Sequence, residues 1–151
     1  LRKYAKQLIK SAEDLNDLPE YCINLAQTKV RELQLLGAYM LGYAGKRLPD
    51  TLKARAAIAM ADHVTNWEFC DIIAIEAGHL VPLERLETWA AMDEWHARCA
   101  AVFALYHNRK IGDTARCLKI VGMVETSRDK LKGQLRKAVK WAYREIAPPN
   151  T

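Results

Sequence analysis

Apolar positions recur at three- and four-residue spacings along nearly the whole chain, and no stretch alternates with period two for long enough to argue a sheet. From Val30 to Ala44 (VRELQLLGAYMLGYA), Leu33, Leu36, Gly37, Met40 and Leu41 share one stripe, which predicts an amphipathic helix ended by Gly45 and Pro49. The next is expected from Asp50 to about Val64. Asn66 is the expected N-cap of WEFCDIIAIEA, which stops at Gly78. Pro82 opens LERLETWAAM, and Asp93 caps the DEWHARCAAVFALYH helix that follows. Helices over 111–125 and 129–146 complete the series before Pro148-Pro149, and two less regular ones are expected over 2–14 and 18–27.

Nine helices joined by short turns make either a bundle or a stack of helix pairs. The pairs recur at roughly 30–35 residues, somewhat under the HEAT and armadillo period, without a letter-by-letter repeat. The fold class is therefore all-α. With 151 residues, 50% hydrophobic and 27% charged, the chain fits one domain with a sizeable core, and its composition excludes disorder. No apolar run approaches a membrane span and no signal-peptide pattern opens the chain, so an intracellular globular domain is the default.

Charge changes the picture only at one end. Residues 1–127 carry 16 Lys/Arg and 16 Asp/Glu, so the net +5 resides in residues 128–151. There Arg128, Lys130, Lys132, Arg136, Lys137, Lys140 and Arg144 face only Asp129 and Glu145. Such a run is commonly a solvated helix face, but its asymmetry also fits a polyanion partner. Cys22, Cys70, Cys99 and Cys117 form no CxxC pair, which excludes a zinc knuckle and disfavours a disulfide framework; reduced, mostly buried thiols are expected.

Trp67 and Asp71 lie four apart on a helix otherwise made of Phe69, Cys70, Ile72, Ile73, Ala74 and Ile75. A carboxylate among such neighbours must be ion-paired, hydrogen-bonded or set at a groove to meet a ligand. Trp95 and Arg98 are three apart on a later helix, as are Trp141 and Arg144 on the last, with Lys137 one turn before. A lone Trp is usually core; a carboxylate, indoles and basic residues on successive helices together point to a site. Glu76–His79 and Asp93–His96 each place a carboxylate three before a His, as in di-iron helices. Gly78 ends the first helix too early and no bridging Glu is evident, so no metal is expected; His96 and Cys99 read as a packed pair. No Gly-rich phosphate loop, GxSxG elbow or HExxH occurs.

The order N-W-x-x-x-D (Asn66, Trp67, Asp71), W-x-x-R-x-A-A (Trp95, Arg98, Ala100, Ala101) and K-A-V-K-W-A-Y-R-E (Lys137 to Glu145) closely resembles the AlkD-like DNA alkylation repair glycosylases. TKVRELQLLGAYML is also similar to that family's helix with an Arg-Glu pair. The resemblance covers nearly the whole chain. It implies an α-α superhelix of HEAT-like repeats whose concave basic face holds duplex DNA. It also implies hydrolysis of the N-glycosidic bond of purines alkylated at N3 or N7. By motif position, Asp71 resembles the catalytic carboxylate, Trp67 and Trp141 the indoles flanking the lesion's sugar, and Arg98 an arginine holding the DNA backbone. Lys132, Arg136, Lys137, Lys140 and Arg144 are the further DNA-binding candidates. No cofactor, metal or membrane is implied, and a cytoplasmic monomer acting on nucleoid DNA is expected. Family members carry another helix pair before the position of Leu1 and more helices after that of Glu145. Residues 1–151 thus read as one HEAT-like domain, shorter than the family's at both ends.

The chemistry suits these residue types. A purine alkylated at N3 or N7 is cationic and leaves as a neutral base, so charge develops on the deoxyribose instead. A fixed carboxylate can stabilise that oxocarbenium-like centre and orient or deprotonate water. Indole faces add cation–π attraction on the order of 0.5–2 kcal/mol each. Most glycosylases extrude the base; the resemblance implies a lesion kept stacked and approached through its sugar. Two rival classes fit the same scaffold: a non-catalytic relative binding bent or branched DNA, and a protein-interaction solenoid.

Overall fold

The structure is a computed structural model that describes residues 1–146; the expected Pro148-Pro149 stop lies outside the described residues. Among them there are nine α-helices, two short 3-10 turns and no strand. The helices are α1 (Arg2–Ser11), α2 (Leu18–Gln27), α3 (Arg31–Tyr43), α4 (Asp50–Ala61), α5 (Trp67–Ala77), α6 (Leu83–Ala90), α7 (Glu94–Lys110), α8 (Thr114–Thr126) and α9 (Gly133–Ile146). None is long and apolar enough to cross a membrane.

Two layers account for the packing. The odd-numbered helices lie side by side, α1 on α3, α3 on α5, α5 on α7 and α7 on α9, while α2 packs on α4 and α6 on α8. Each even helix also packs on the odd one after it, which makes four helix pairs beginning at Leu18, Asp50, Leu83 and Thr114. This is helix packing of a helical-repeat superhelix, all-α as the periodicity predicts. Helix α7 is the spine: it touches α5, α6, α8 and α9, and an unbroken run from His96 to Leu105 is buried.

Both predicted side-chain caps are present. Asn66 Oδ1 accepts from the Phe69 N–H at 2.8 Å, and Asp93 Oδ1 accepts from the N–H groups of Trp95 and His96. Several helix ends differ from expectation, two of them because side chains from afar hold the backbone. Helix α1 stops at Ser11, where Arg47 donates to the Ile9 and Ala12 carbonyls at 2.7 Å each. Helix α9 starts at Gly133 rather than at 129. Arg128 is drawn instead to the Ala90, Met92 and Val124 carbonyls, tying down the loop before α9. Helix α7 runs on to Lys110, and α8 begins only at Thr114, because Gly112 and Asp113 take positive φ. Helix α4 ends at Ala61, with turn hydrogen bonds carrying the chain to Val64.

The stripe on α3 is also displaced. Leu33 is exposed, whereas Gln34 is fully buried. Helix α3 has neighbours on three sides, α1, α2 and α5, so its buried arc is wider than one stripe. Gln34 is accepted there because its amide donates to the Ala26 and His63 carbonyls and accepts from Asn66. All four cysteines are free and buried. Burial pushes Cys22 up to about 12 and Cys117 up to about 11, so these thiols stay protonated at neutral pH.

Candidate active site

Asp71 and Arg98, 27 residues apart in sequence, meet between α5 and α7: Arg98 Nη1 donates to Asp71 Oδ1 at 2.7 Å. The same nitrogen lies 3.5 Å from the Trp67 carbonyl. The pair forms because α5 and α7 pack directly, which sets the second turn of each helix side by side. The Arg98 side chain is 6% exposed and that of Asp71 18%, so the carboxylate is the member that reaches the surface. Its Oδ2 accepts no hydrogen bond from the described residues, and Arg98 Nε, buried, also has no partner among them. Burial raises the Asp71 carboxyl above its usual range, and the guanidinium only partly offsets this. Arg98 keeps its charge, since Cys70 and Asp71 outweigh the desolvation that works against it. Of the alternatives foreseen for Asp71, the ion pair and the hydrogen bond are both present, in the same contact with Arg98.

Around the carboxylate the side chains differ in exposure. Trp67, one turn before Asp71, is 47% exposed, which is unusual for an indole and leaves a flat apolar surface next to the carboxylate. Trp141 is half-buried on α9 and meets Tyr106 of α7 edge-on, with ring centroids 6.3 Å apart. Trp95 and Arg98 line a cleft of about 360 Å³ with Glu94, Lys132 and Leu135. Arg136, Lys137 and Lys140 line a shallow hollow beside it. Lys132, Arg136, Lys137, Lys140 and Arg144 are all exposed, on or just before α9. The structure therefore brings Asp71, Trp67 and Arg98 together, sets Lys132 in one cleft with Arg98, and sets Arg136, Lys137 and Lys140 in the hollow that shares Gly133 with that cleft. Arg98 itself is buried and given to Asp71, so its first partner is the carboxylate rather than solvent or an external anion.

Some participants were not singled out by sequence reasoning. Arg31 does not only neighbour Glu32: it holds Glu68, next to Trp67, through two hydrogen bonds of 2.5 and 3.0 Å that join α3 to α5. Nothing local in sequence announces a partner 37 residues away. Tyr106 was not singled out either: it follows Arg98 by eight residues on the same helix, which sets it about 80° further round the axis.

The second carboxylate cluster has a different character. His96 places Nδ1 2.7 Å from Asp93 Oδ2 and Nε2 2.8 Å from Asp62 Oδ1, so both ring nitrogens are taken. Burial pulls its pKa down, but the two carboxylates prevail and raise it. Cys99, expected beside His96, turns its sulfur to Cys70 at 3.5 Å. Among the described residues no group of three or more His, Cys, Asp or Glu is arranged to hold a metal. His79, past the end of α5, contributes to no such group.

Neither a curated protein nor a solved structure matches the chain. The family model described as DNA alkylation repair enzyme matches residues 1–151, the entire chain, and the chain belongs to that family.

Proposed function

We propose that this protein is a DNA glycosylase that hydrolyses the N-glycosidic bond of cationic N3- or N7-alkylated purines in duplex DNA, with Asp71 as the catalytic carboxylate. The observation that carries the reading is the Asp71–Arg98 pair: a half-buried carboxylate fixed by a buried guanidinium, with one oxygen uncommitted and an exposed indole one turn away. In this reading Asp71 Oδ2 faces the sugar. It stabilises positive charge developing at the anomeric carbon and orients or deprotonates the attacking water. Arg98 holds Oδ1, so the carboxylate needs little reorganisation as the bond breaks. Its partial charge neutralisation is tolerable because the leaving base, already cationic, needs no strong general acid.

Trp67 and Trp141 supply apolar, π-rich surfaces to either side of the sugar, where cation–π attraction strengthens as the oxocarbenium character grows. Lys132, Arg136, Lys137, Lys140 and Arg144 give the α9 face its positive field and hold the phosphate backbone without reading sequence. Family membership supports DNA as the substrate. The protein acts as a monomer, without metal or cofactor, in the compartment that holds the DNA.

The test uses two duplexes of the same sequence, one with 7-methylguanine and one with uracil. The expected result is base release from the first and none from the second, since uracil must leave as an anion and finds no acid to help it. Equal release from both would contradict the reliance on a cationic base. Binding to both with release from neither would favour the non-catalytic DNA-binding relative.

A further inference from the structure

We propose that Tyr106 is a positioning residue for Trp141, held in place by Arg109 and Glu145 so that α7 fixes the tilt of the α9 indole. The proposal rests on the reading of Trp141 as a residue that meets the substrate's sugar. Three contacts form a closed loop between two helices. The Tyr106 and Trp141 rings meet at 6.3 Å with 76° between their planes. The Arg109 guanidinium lies over the Tyr106 ring, 5.1 Å from its centroid. Arg109 Nη2 then returns to α9 through Glu145 Oε1 at 3.4 Å. Tyr106 and Arg109 are three apart on α7, and Trp141 and Glu145 four apart on α9, so each pair shares one helix face.

The geometry favours support over simple filling of the core. An edge-on contact covers at most one face of an indole, and Trp141 is only partly buried, so part of it stays open to a ligand. Without a neighbour, a half-buried Trp on a surface helix samples several side-chain rotamers. Burial raises the Tyr106 phenol, the Arg109 guanidinium offsets part of this, and the charge of Asp71 adds to the rise. The contact with Trp141 runs through the Tyr106 ring, so the ring does the bracing.

The experiment is a double-substitution cycle on base release from 7-methylguanine duplex, under single-turnover and steady-state conditions. Tyr106→Ala is expected to lower kcat about tenfold with KM changed less than about twofold, and Tyr106→Phe to restore it. Tyr106→Leu, which keeps apolar bulk and guards against loss of fold, is expected to match Ala in rate while melting like the parent. In a Trp141→Ala background Tyr106→Ala should add nothing, because the indole it positions is gone. Effects that multiply, or a Leu variant as fast as the parent, would overturn the proposal. A second readout does not depend on catalysis. Acrylamide quenching of the Trp141 emission, taken as the difference between chains with and without that residue, should rise in Tyr106→Ala and not in Tyr106→Phe. If the parent chain released no base, the glycosylase reading would fall, while unchanged quenching would overturn the brace by itself.

Discussion

Two ionic junctions sit two residues apart on α7, and they have opposite chemistry. At His96 the imidazole is enclosed by two carboxylates, Asp62 from the end of α4 and Asp93 from the cap of α7 itself, each 60% exposed. Every hydrogen-bonding position of the buried group is filled, and the charges left over point to water. At Arg98 the buried cation has one carboxylate, an unpartnered Nε, and an Asp71 whose second oxygen is unclaimed by the described residues. A saturated junction holds helices together. An unsaturated one, beside an exposed indole, retains capacity for a further molecule. Saturation, more than the mere presence of charges, separates a structural ion cluster from a candidate site.

The largest effect is expected at Arg98. Arg98→Ala leaves Asp71 without its counter-charge and opens a cavity in α7's packing, so a loss of about 3 kcal/mol in stability is expected from urea melts. Base release should fall together with stability, and Arg98→Lys, which keeps charge but not the planar fork, should recover stability better than rate. A variant with unchanged stability would show that the pair contributes nothing to the α5–α7 packing.

The two junctions also respond to pH with opposite sign. His96 titrates above its ordinary 6.5 in the folded protein. Its stabilisation is therefore complete below that value and lost as pH rises through the raised one. His96→Gln should remove this pH dependence and cost about 1.5 kcal/mol at about pH 6, with base release at saturating DNA nearly unchanged. In the proposed reaction Asp71 behaves the other way. Its carboxyl is raised by burial, so the reactive carboxylate is lost as pH falls, and the single-turnover rate should decline on the acid side above the usual carboxylate range. An acid limb at the ordinary carboxylate value would mean that the burial of Asp71 is relieved when DNA binds.

The smallest effects belong to α9. Replacing Lys132, Arg136 and Lys140 by Ala should flatten the slope of log K against log salt by about 0.9 for each phosphate no longer neutralised, and leave the saturated rate within about twofold. An unchanged slope would return these lysines and arginine to an ordinary solvated face.

Much of this was readable from spacing. The Asn66 and Asp93 caps, the helix count and the predicament of Asp71 all follow from local pattern, because each depends on residues within one or two turns. Two of the boundaries that failed, those of α1 and α9, depend on distant arginines. Arg47 ends α1, and Arg128, counted from sequence as part of a basic run, is instead bound to three carbonyls of α6, α8 and the turn after α6. Gln34 illustrates the same limit: a polar residue next to an apolar stripe is expected outside, and only the three partners that α2 and the turns around α4 and α5 bring to it permit it inside. At the candidate site, the placing of Asp71 and Trp67 one turn apart on one helix was legible, but the burial of Arg98 and the brace of Tyr106 were not. Those arise from how α7 sits between α5 and α9.

The central claim is that Asp71 carries the chemistry while the rest of the face binds DNA. The most direct test measures release of 7-methylguanine under single-turnover conditions by the parent chain and by Asp71→Asn, with the affinity of each for the same duplex. The amide variant is expected to bind within about threefold of the parent and to release base about 10²- to 10⁴-fold more slowly, as the proposed role of Asp71 requires. Release at the parent rate, with binding intact, would contradict it.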